Sequence, residues 1–189
     1  KILFKNQNYP DLRDLKNIIS EINSFRPDVI ITLGGGSTID LGKVSNFLYS
    51  ENNLIEQIKI SKFGNNNKFC KLIAIPTTAG SGAETTSNAV IYIDKVKYSV
   101  EDNCILPDFI FIDPELAISV PKKLSASAGI DAMSQAIESL FSLKSNSESV
   151  KYALTSLKYS SGNLSVFLKL WNSVVFLNFS FWIYSLAFL

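Results

Sequence analysis

The run Asp28–Lys43, DVIITLGGGSTIDLGK, confines the fold of this chain more than any other stretch. Asp28–Leu33 is short and almost wholly apolar, which suits a strand buried on both faces, as in a parallel sheet. Three glycines follow. Leu41, Val44 and Leu48 then continue at helical spacing. The unit reads as strand, glycine turn, helix. Ser37 suits the helix N-cap, and Asp40 three residues later completes a Ser-x-x-Asp capping pattern.

The flanking sequence continues the alternation. Leu12, Leu15, Ile19 and Ile22 recur at helical spacing after Tyr9-Pro10-Asp11, and Phe25-Arg26-Pro27 ends that helix. Gly64–Lys68 (GNNNK) reads as a surface turn. Lys71–Pro76 (KLIAIP) is a second buried strand. AVIYI and KYSV, separated by Asp94-Lys95, read as a hairpin. Phe109–Asp113 (FIFID) is a further strand, stopped by Pro114. Strands alternating with helices imply an open α/β sheet. From Lys122 the composition turns helical: Ile130, Met133, Ile137, Leu140 and Phe141 share one helical face, and SESVKYALTSLKY continues in the same character. The expected organisation is an α/β dinucleotide-binding domain over 1–117, its N-terminal part missing, followed by the start of an all-helical domain over 118–189.

Composition removes several classes of function. Hydrophobic residues make up 47% and charged residues 19%, a balance that supports a folded core rather than disorder. A net charge of +1 offers no basic field for nucleic acid. Two cysteines without a CxxC spacing favour a reducing compartment, hence a cytoplasmic protein, over a disulfide scaffold. The chain has no histidine, so it lacks the commonest general base and the commonest ligand of catalytic metals.

A glycine turn between a buried strand and a helix lets the backbone approach a diphosphate, with free N–H groups and the positive end of the helix dipole aimed at it. A tight turn that binds nothing is the alternative. A second stretch of the same kind, Pro76–Glu84 (PTTAGSGAE), follows the next strand and offers the hydroxyls of Thr77, Thr78 and Ser81. Ligands of open α/β sheets sit beyond the carboxyl ends of the strands, where two such loops could hold the two halves of one dinucleotide. In GIDAMSQAIES, Asp131, Gln135 and Glu138 fall at i, i+4 and i+7, on one helical face; a solvated polar face is the ordinary explanation.

GGGSTID, PTTAGSGAE, LPDFIFIDPEL and GIDAMSQAIES, in this order and spacing, resemble the iron-containing alcohol dehydrogenase family from about Asp28 to about Lys158. Ser81 stands where the family commonly has Thr, and Ala83 where it commonly has Ser. VKYSVEDNCILPDF and QAIESLFSLKSNSES look most like the branch that reduces phosphonoacetaldehyde. The resemblance implies an α/β cofactor domain, a helical domain, and an active site in the cleft between them. It implies that Gly34, Gly35, Gly36, Ser37 and Asp40 hold the pyrophosphate of NAD or NADP. Thr77, Thr78 and Ser81 would meet its phosphate, ribose or nicotinamide side. Lys97 matches a lysine that approaches the cofactor, with a surface hairpin lysine as the alternative. The family also holds a divalent metal, Fe or Zn. Asp131 matches its first ligand, whereas Gln135 stands at the position of its first histidine; an amide oxygen replaces imidazole poorly for these ions.

The resemblance therefore implies hydride transfer between nicotinamide and a small alcohol or aldehyde, with a nucleotide-binding but catalytically dead fragment as the alternative. Family members are commonly oligomers, which implies a homo-oligomer. The glycine turn comes early for this family, so a preceding strand and helix are expected beyond the first residue. Leu170–Leu189 carries no charge and is long enough to span a membrane. Truncation or out-of-frame translation is preferred as its explanation, a core helix next, and an anchor last, because no cluster of positive residues flanks it.

Overall fold

The computed structural model of the protein describes residues 1–161, apart from 7, 51–52, 62 and 64–66. The core of the GNNNK turn and the apolar tail Leu170–Leu189 lie outside the described residues. The chain divides into two units, Lys1–Ser119 and Val120–Leu189.

In the first unit, helix α1 (Leu12–Phe25) begins at Asp11, whose carboxylate accepts from Arg13 N at 2.7 Å. It ends at Arg26 in the left-handed conformation, whose N–H returns to Ile22 O at 2.9 Å. Strand β1 (Val29–Gly34) leads through the glycine turn into α2 (Gly36–Phe47). A short helix α3 (Leu54–Ile60), not foreseen from the sequence, precedes β2 (Lys71–Pro76). Strands β3 (Asn88–Ile93) and β4 (Val96–Glu101) form the expected hairpin. Asp94 and Lys95 both take positive φ, 50° and 67°, as a two-residue hairpin turn matching the strand twist requires. Strand β5 (Phe109–Ile110) completes a three-stranded parallel sheet of order β1-β2-β5. FIFID is thus shorter as a strand than its apolar run suggests: only its first two residues pair with β2, and Asp113 caps a 3-10 turn over Pro114–Ala117.

Helix α2 organises this unit. Leu41, Val44, Phe47 and Leu48 pack with Leu15 of α1, Leu54 and Ile58 of α3, and Ala89, Ile91 and Val100 of the hairpin in one apolar core. Each such large side chain contributes roughly 1.5–3 kcal/mol on burial. Nearer the start of the helix, Ile39 meets Ala74 of β2 and Ala83. The expectation that β1 is buried on both faces is corrected. Thr32 is buried, but Ile31 is 60% exposed and Leu33 57%, because among the described residues α2 covers one face of the sheet.

The second unit contains α4 (Lys122–Phe141) and α5 (Ser147–Ser161). The proposed apolar face of α4 is only partly buried: Ile130, Met133 and Leu140 are half-buried. Phe141 is 83% exposed and Ile137 45%, while Ala126 and Ala136 are buried. Alanines carry no strong hydrophobic-periodicity signal of their own.

Gly42 shows how tightly α2 lies on the sheet. A Cβ there would stand 2.0 Å from Thr32 Cγ2. Thr32 is itself fixed, its hydroxyl donating to Ile73 O at 3.2 Å. Gly42→Ala is therefore expected to destabilise the fold by about 1–3 kcal/mol, overriding the roughly 1 kcal/mol that alanine gains in helix propensity. A lower urea midpoint with an unchanged slope is the expected readout.

Candidate functional site

The two glycine- and hydroxyl-rich loops meet. β1 pairs with β2 in parallel register, Gly34 opposite Pro76, so both strands end at the same level. Thr77 N donates to Gly34 O at 3.0 Å, carrying the ladder one residue into the loop. Gly35 then faces Thr78, and Gly36 faces Ser81. A Cβ on Gly36 would come within 2.7 Å of Ser81 Oγ and 2.9 Å of Ser81 Cβ. The glycines are thus required by the second loop as well as suited to a ligand. Gly34, Gly35, Gly36, Thr77, Thr78 and Ser81 are all half-buried around one edge, at the carboxyl end of the sheet.

The capping pattern read from Ser37 and Asp40 is corrected. Gly35 occupies the N-cap of α2, with no side chain capping the helix, and Ser37 already lies inside the first turn. The Ser37 hydroxyl accepts instead from Lys5 Nζ. Asp40 turns away from the helix start: its Oδ2 accepts from Val90 N at 3.1 Å and ties α2 to β3. Capping statistics use local spacing, and here a partner fifty residues away wins. Burial pushes the Asp40 carboxyl up to about 6, against the Val90 N–H and the charges of Lys43 and Lys97. Lys97 is exposed on β4 and within electrostatic reach of Asp40.

Two lysines escaped the sequence reading. Lys5 lies ahead of α1 and reaches the first turn of α2. Its neighbour Asn6 is clamped to Asp14, backbone N to Oδ2 at 3.0 Å and Nδ2 to Oδ1 at 2.8 Å, which fixes where Lys5 leaves the chain. Burial lowers the pKa of Lys5, and the nearby Asp14 charge opposes this. Lys43 is wholly buried. Its Nζ donates to Ala83 O at 2.8 Å, Thr86 O at 2.7 Å, Thr86 Oγ1 at 3.2 Å and Asn88 O at 2.5 Å. Burial lowers its pKa to about 8, against the opposing charges of Asp40 and Glu84.

In the second unit, Asp131 and Gln135 stand one turn apart on α4. Gln135 Nε2 donates to Asp131 Oδ2 at 2.9 Å. The amide thus satisfies the carboxylate rather than joining it as a second oxygen ligand. No group of three or more His, Cys, Asp or Glu side chains suited to a metal ion occurs among the described residues. An amide at position 135 is a poorer ligand of Fe²⁺ or Zn²⁺ than the imidazole of the family pattern. No described helix is long and apolar enough to cross a membrane.

The profile of the iron-containing alcohol dehydrogenase family matches residues 2–114. The chain is 34% identical over 170 residues to the bifunctional aldehyde-alcohol dehydrogenase AdhE of Escherichia coli K12, covering 84% of this chain and 19% of that protein. It is 35% identical over 139 residues to the 1-propanol dehydrogenase PduQ of Citrobacter freundii, covering 72% of this chain and 34% of that one. Its fold matches the crystal structure of sulfoacetaldehyde reductase from Bifidobacterium kashiwanohense in complex with NAD⁺, with TM-score 0.65 and 31% identity over 70% of this chain and 36% of that chain. It also matches the alcohol dehydrogenase from Oenococcus oeni, with TM-score 0.74 and 28% identity over 87% and 46%. The chain thus spans about a fifth to a third of the length of these curated relatives.

The displaced titration of Asp40 is measurable. The carboxyl ionises near 3.8 in an unfolded chain and near 6 in the folded one. The folded state holds this proton more tightly, so the stabilisation is present in acid and lost as pH rises through that window. Urea midpoints of Asp40→Asn relative to the parent are expected to rise between pH 4 and pH 7.

Proposed function

Because the chain belongs to the iron-containing alcohol dehydrogenase family, we propose that its first unit holds NAD or NADP as the cofactor of an alcohol dehydrogenase or aldehyde reductase. One observation carries this reading: two loops rich in glycine and hydroxyls meet where β1 and β2 end together, at an uncapped helix start. Gly34, Gly35 and Gly36 would let the backbone approach the pyrophosphate, and α2 would turn its positive end toward it. Ser37, Thr77, Thr78 and Ser81 would supply hydroxyls. Lys5, bonded to Ser37, and Lys97, within electrostatic reach of Asp40, would add positive charge. Asp40 would act at one remove, by holding α2 against β3.

When bound, the nicotinamide supplies the hydride chemistry, and the protein supplies placement and electrostatics. The substrate class we infer is a small alcohol or aldehyde. A short aldehyde carrying an anionic group is favoured within it: sequence resemblance points to the phosphonoacetaldehyde branch, and a structural relative reduces sulfoacetaldehyde by its name. Two cysteines without a CxxC spacing, Cys70 and Cys104, favour the cytoplasm, where we place the protein. The misfit of Asp131 and Gln135 to a metal favours a second reading, a chain that binds the nucleotide without turning over an alcohol.

Titration of NADH and NADPH into the purified chain, followed by nicotinamide fluorescence, tests the proposal. Saturable binding is expected for the parent, with at least a tenfold loss in Gly36→Val, whose side chain would meet Ser81. Absence of saturable binding by the parent with either nucleotide would rule the cofactor reading out. Turnover of small aldehydes by a binding-competent chain separates the enzyme from the inactive binder.

A further inference from the structure

Lys43 sits in the middle of a helix, behind the glycine turn, with no exposed surface. A buried ammonium is expensive, and burying a helix position normally calls for Leu or Met. What it gains here is specific. Three of its four acceptors are main-chain carbonyls of residues 83, 86 and 88, the end of the loop that follows β2. That loop has few fixed points of its own. Gly80 and Gly82 take φ values of 131° and 62°, and its only regular structure is one 3-10 turn, Ala83–Thr85. Bonds to carbonyls fix where the backbone runs without depending on loop side chains. The same loop carries Thr78 and Ser81 against Gly35 and Gly36.

We propose that Lys43 is a positioning residue of the cofactor site: by gathering the carbonyls of Ala83, Thr86 and Asn88 it sets the distance between the hydroxyl loop and the glycine turn. This rests on the dinucleotide reading above. The charged groups facing Lys43 are Asp40 on its own helix and Glu84 on the 3-10 turn; Lys97 on β4 faces Asp40. Glu84 Oε2 is buried without a hydrogen-bond partner among the described residues, so this carboxylate acts on Lys43 through its charge.

Protonated Lys43 has three N–H donors for the cage, and the neutral amine has two. Since burial brings its pKa to about 8, cofactor affinity is expected to be greatest below that pH and to fall above it. The test is NADH affinity of the intact chain from pH 7 to pH 9.5, in the parent, Lys43→Met and Lys43→Arg. Met keeps length without charge. Arg stays charged beyond pH 12, with its donors spread too widely for the cage. The parent is expected to weaken about tenfold across the window with a midpoint near 8. Both variants are expected to bind at least tenfold more weakly at pH 7, with flat profiles. Arg keeps the experiment decisive should Met prevent folding. A variant with parental affinity, or one that is weaker but keeps the parental pH profile, overturns the proposal; the latter would show a role in stability alone. A parent that binds neither NADH nor NADPH brings down the cofactor reading and this inference with it, whereas a parent that binds with no fall above pH 8 brings down this inference alone.

Discussion

Everything at the candidate site depends on the register of two parallel strands. Gly34 stands opposite Pro76, so β1 and β2 release the chain at one level and into one space. Slipping that pairing by one residue would turn the loop-facing backbone groups to the other side of the sheet. Thr77 N to Gly34 O extends the ladder past the last formal pair and makes the two loops continuous with the sheet. Glycine then becomes a requirement of packing. Ser81 occupies the volume that a side chain on Gly36 would need, and Thr32 the volume that one on Gly42 would need. The first absence brings loop to loop; the second brings helix to sheet.

The sequence made the order of elements legible where local patterns suffice. α1, β1, α2, β2 and the hairpin each carry their own periodicity and turn chemistry, and each lies where those signals put it. Patterns failed where a distant partner decides the outcome. Asp40 looks like half of a capping box until Val90 is brought beside it. Lys43 looks like the polar face of a helix until the loop after β2 folds over it. FIFID has the composition of a longer strand, but only Phe109 and Ile110 pair with β2; Phe111 N makes one more bond, to Ala74 O, before Asp113 turns the chain into a 3-10 turn. The exposure of Ile31 and Leu33 has a similar cause: an apolar run records what a strand is suited to, whereas burial needs a second layer to cover it.

The second unit shows where a family pattern and local chemistry part. Asp131 alone satisfies the pattern of a metal ligand. With Gln135 one turn later, the carboxylate finds a neutral donor on its own helix and loses the chelating geometry that imidazole would have provided. The first unit has no comparable gap: its glycines, hydroxyls and helix start are all present and mutually in place.

The charges around the glycine turn divide into two groups with different work. Asp40, Lys43 and Glu84 form an inner set in which one ammonium faces two carboxylates. Its net charge offers nothing to a diphosphate, so its value lies in geometry, holding α2, β3 and the second loop at fixed distances. Lys5, bonded to Ser37, and Lys97, within electrostatic reach of Asp40, form an outer set, and neither is wholly buried. Long, partly hydrated ammonium groups are poor rulers but effective attractors, because they can follow an anion as it arrives. Separating the two tasks resolves an apparent conflict, that of a half-buried carboxylate placed one helical turn behind the candidate anion site. Asp40 would repel a diphosphate if it stood alone. With Lys43 beside it and Val90 N–H on its carboxylate, its field is largely spent inside the protein. The open end of α2 keeps the sign that the helix dipole gives it.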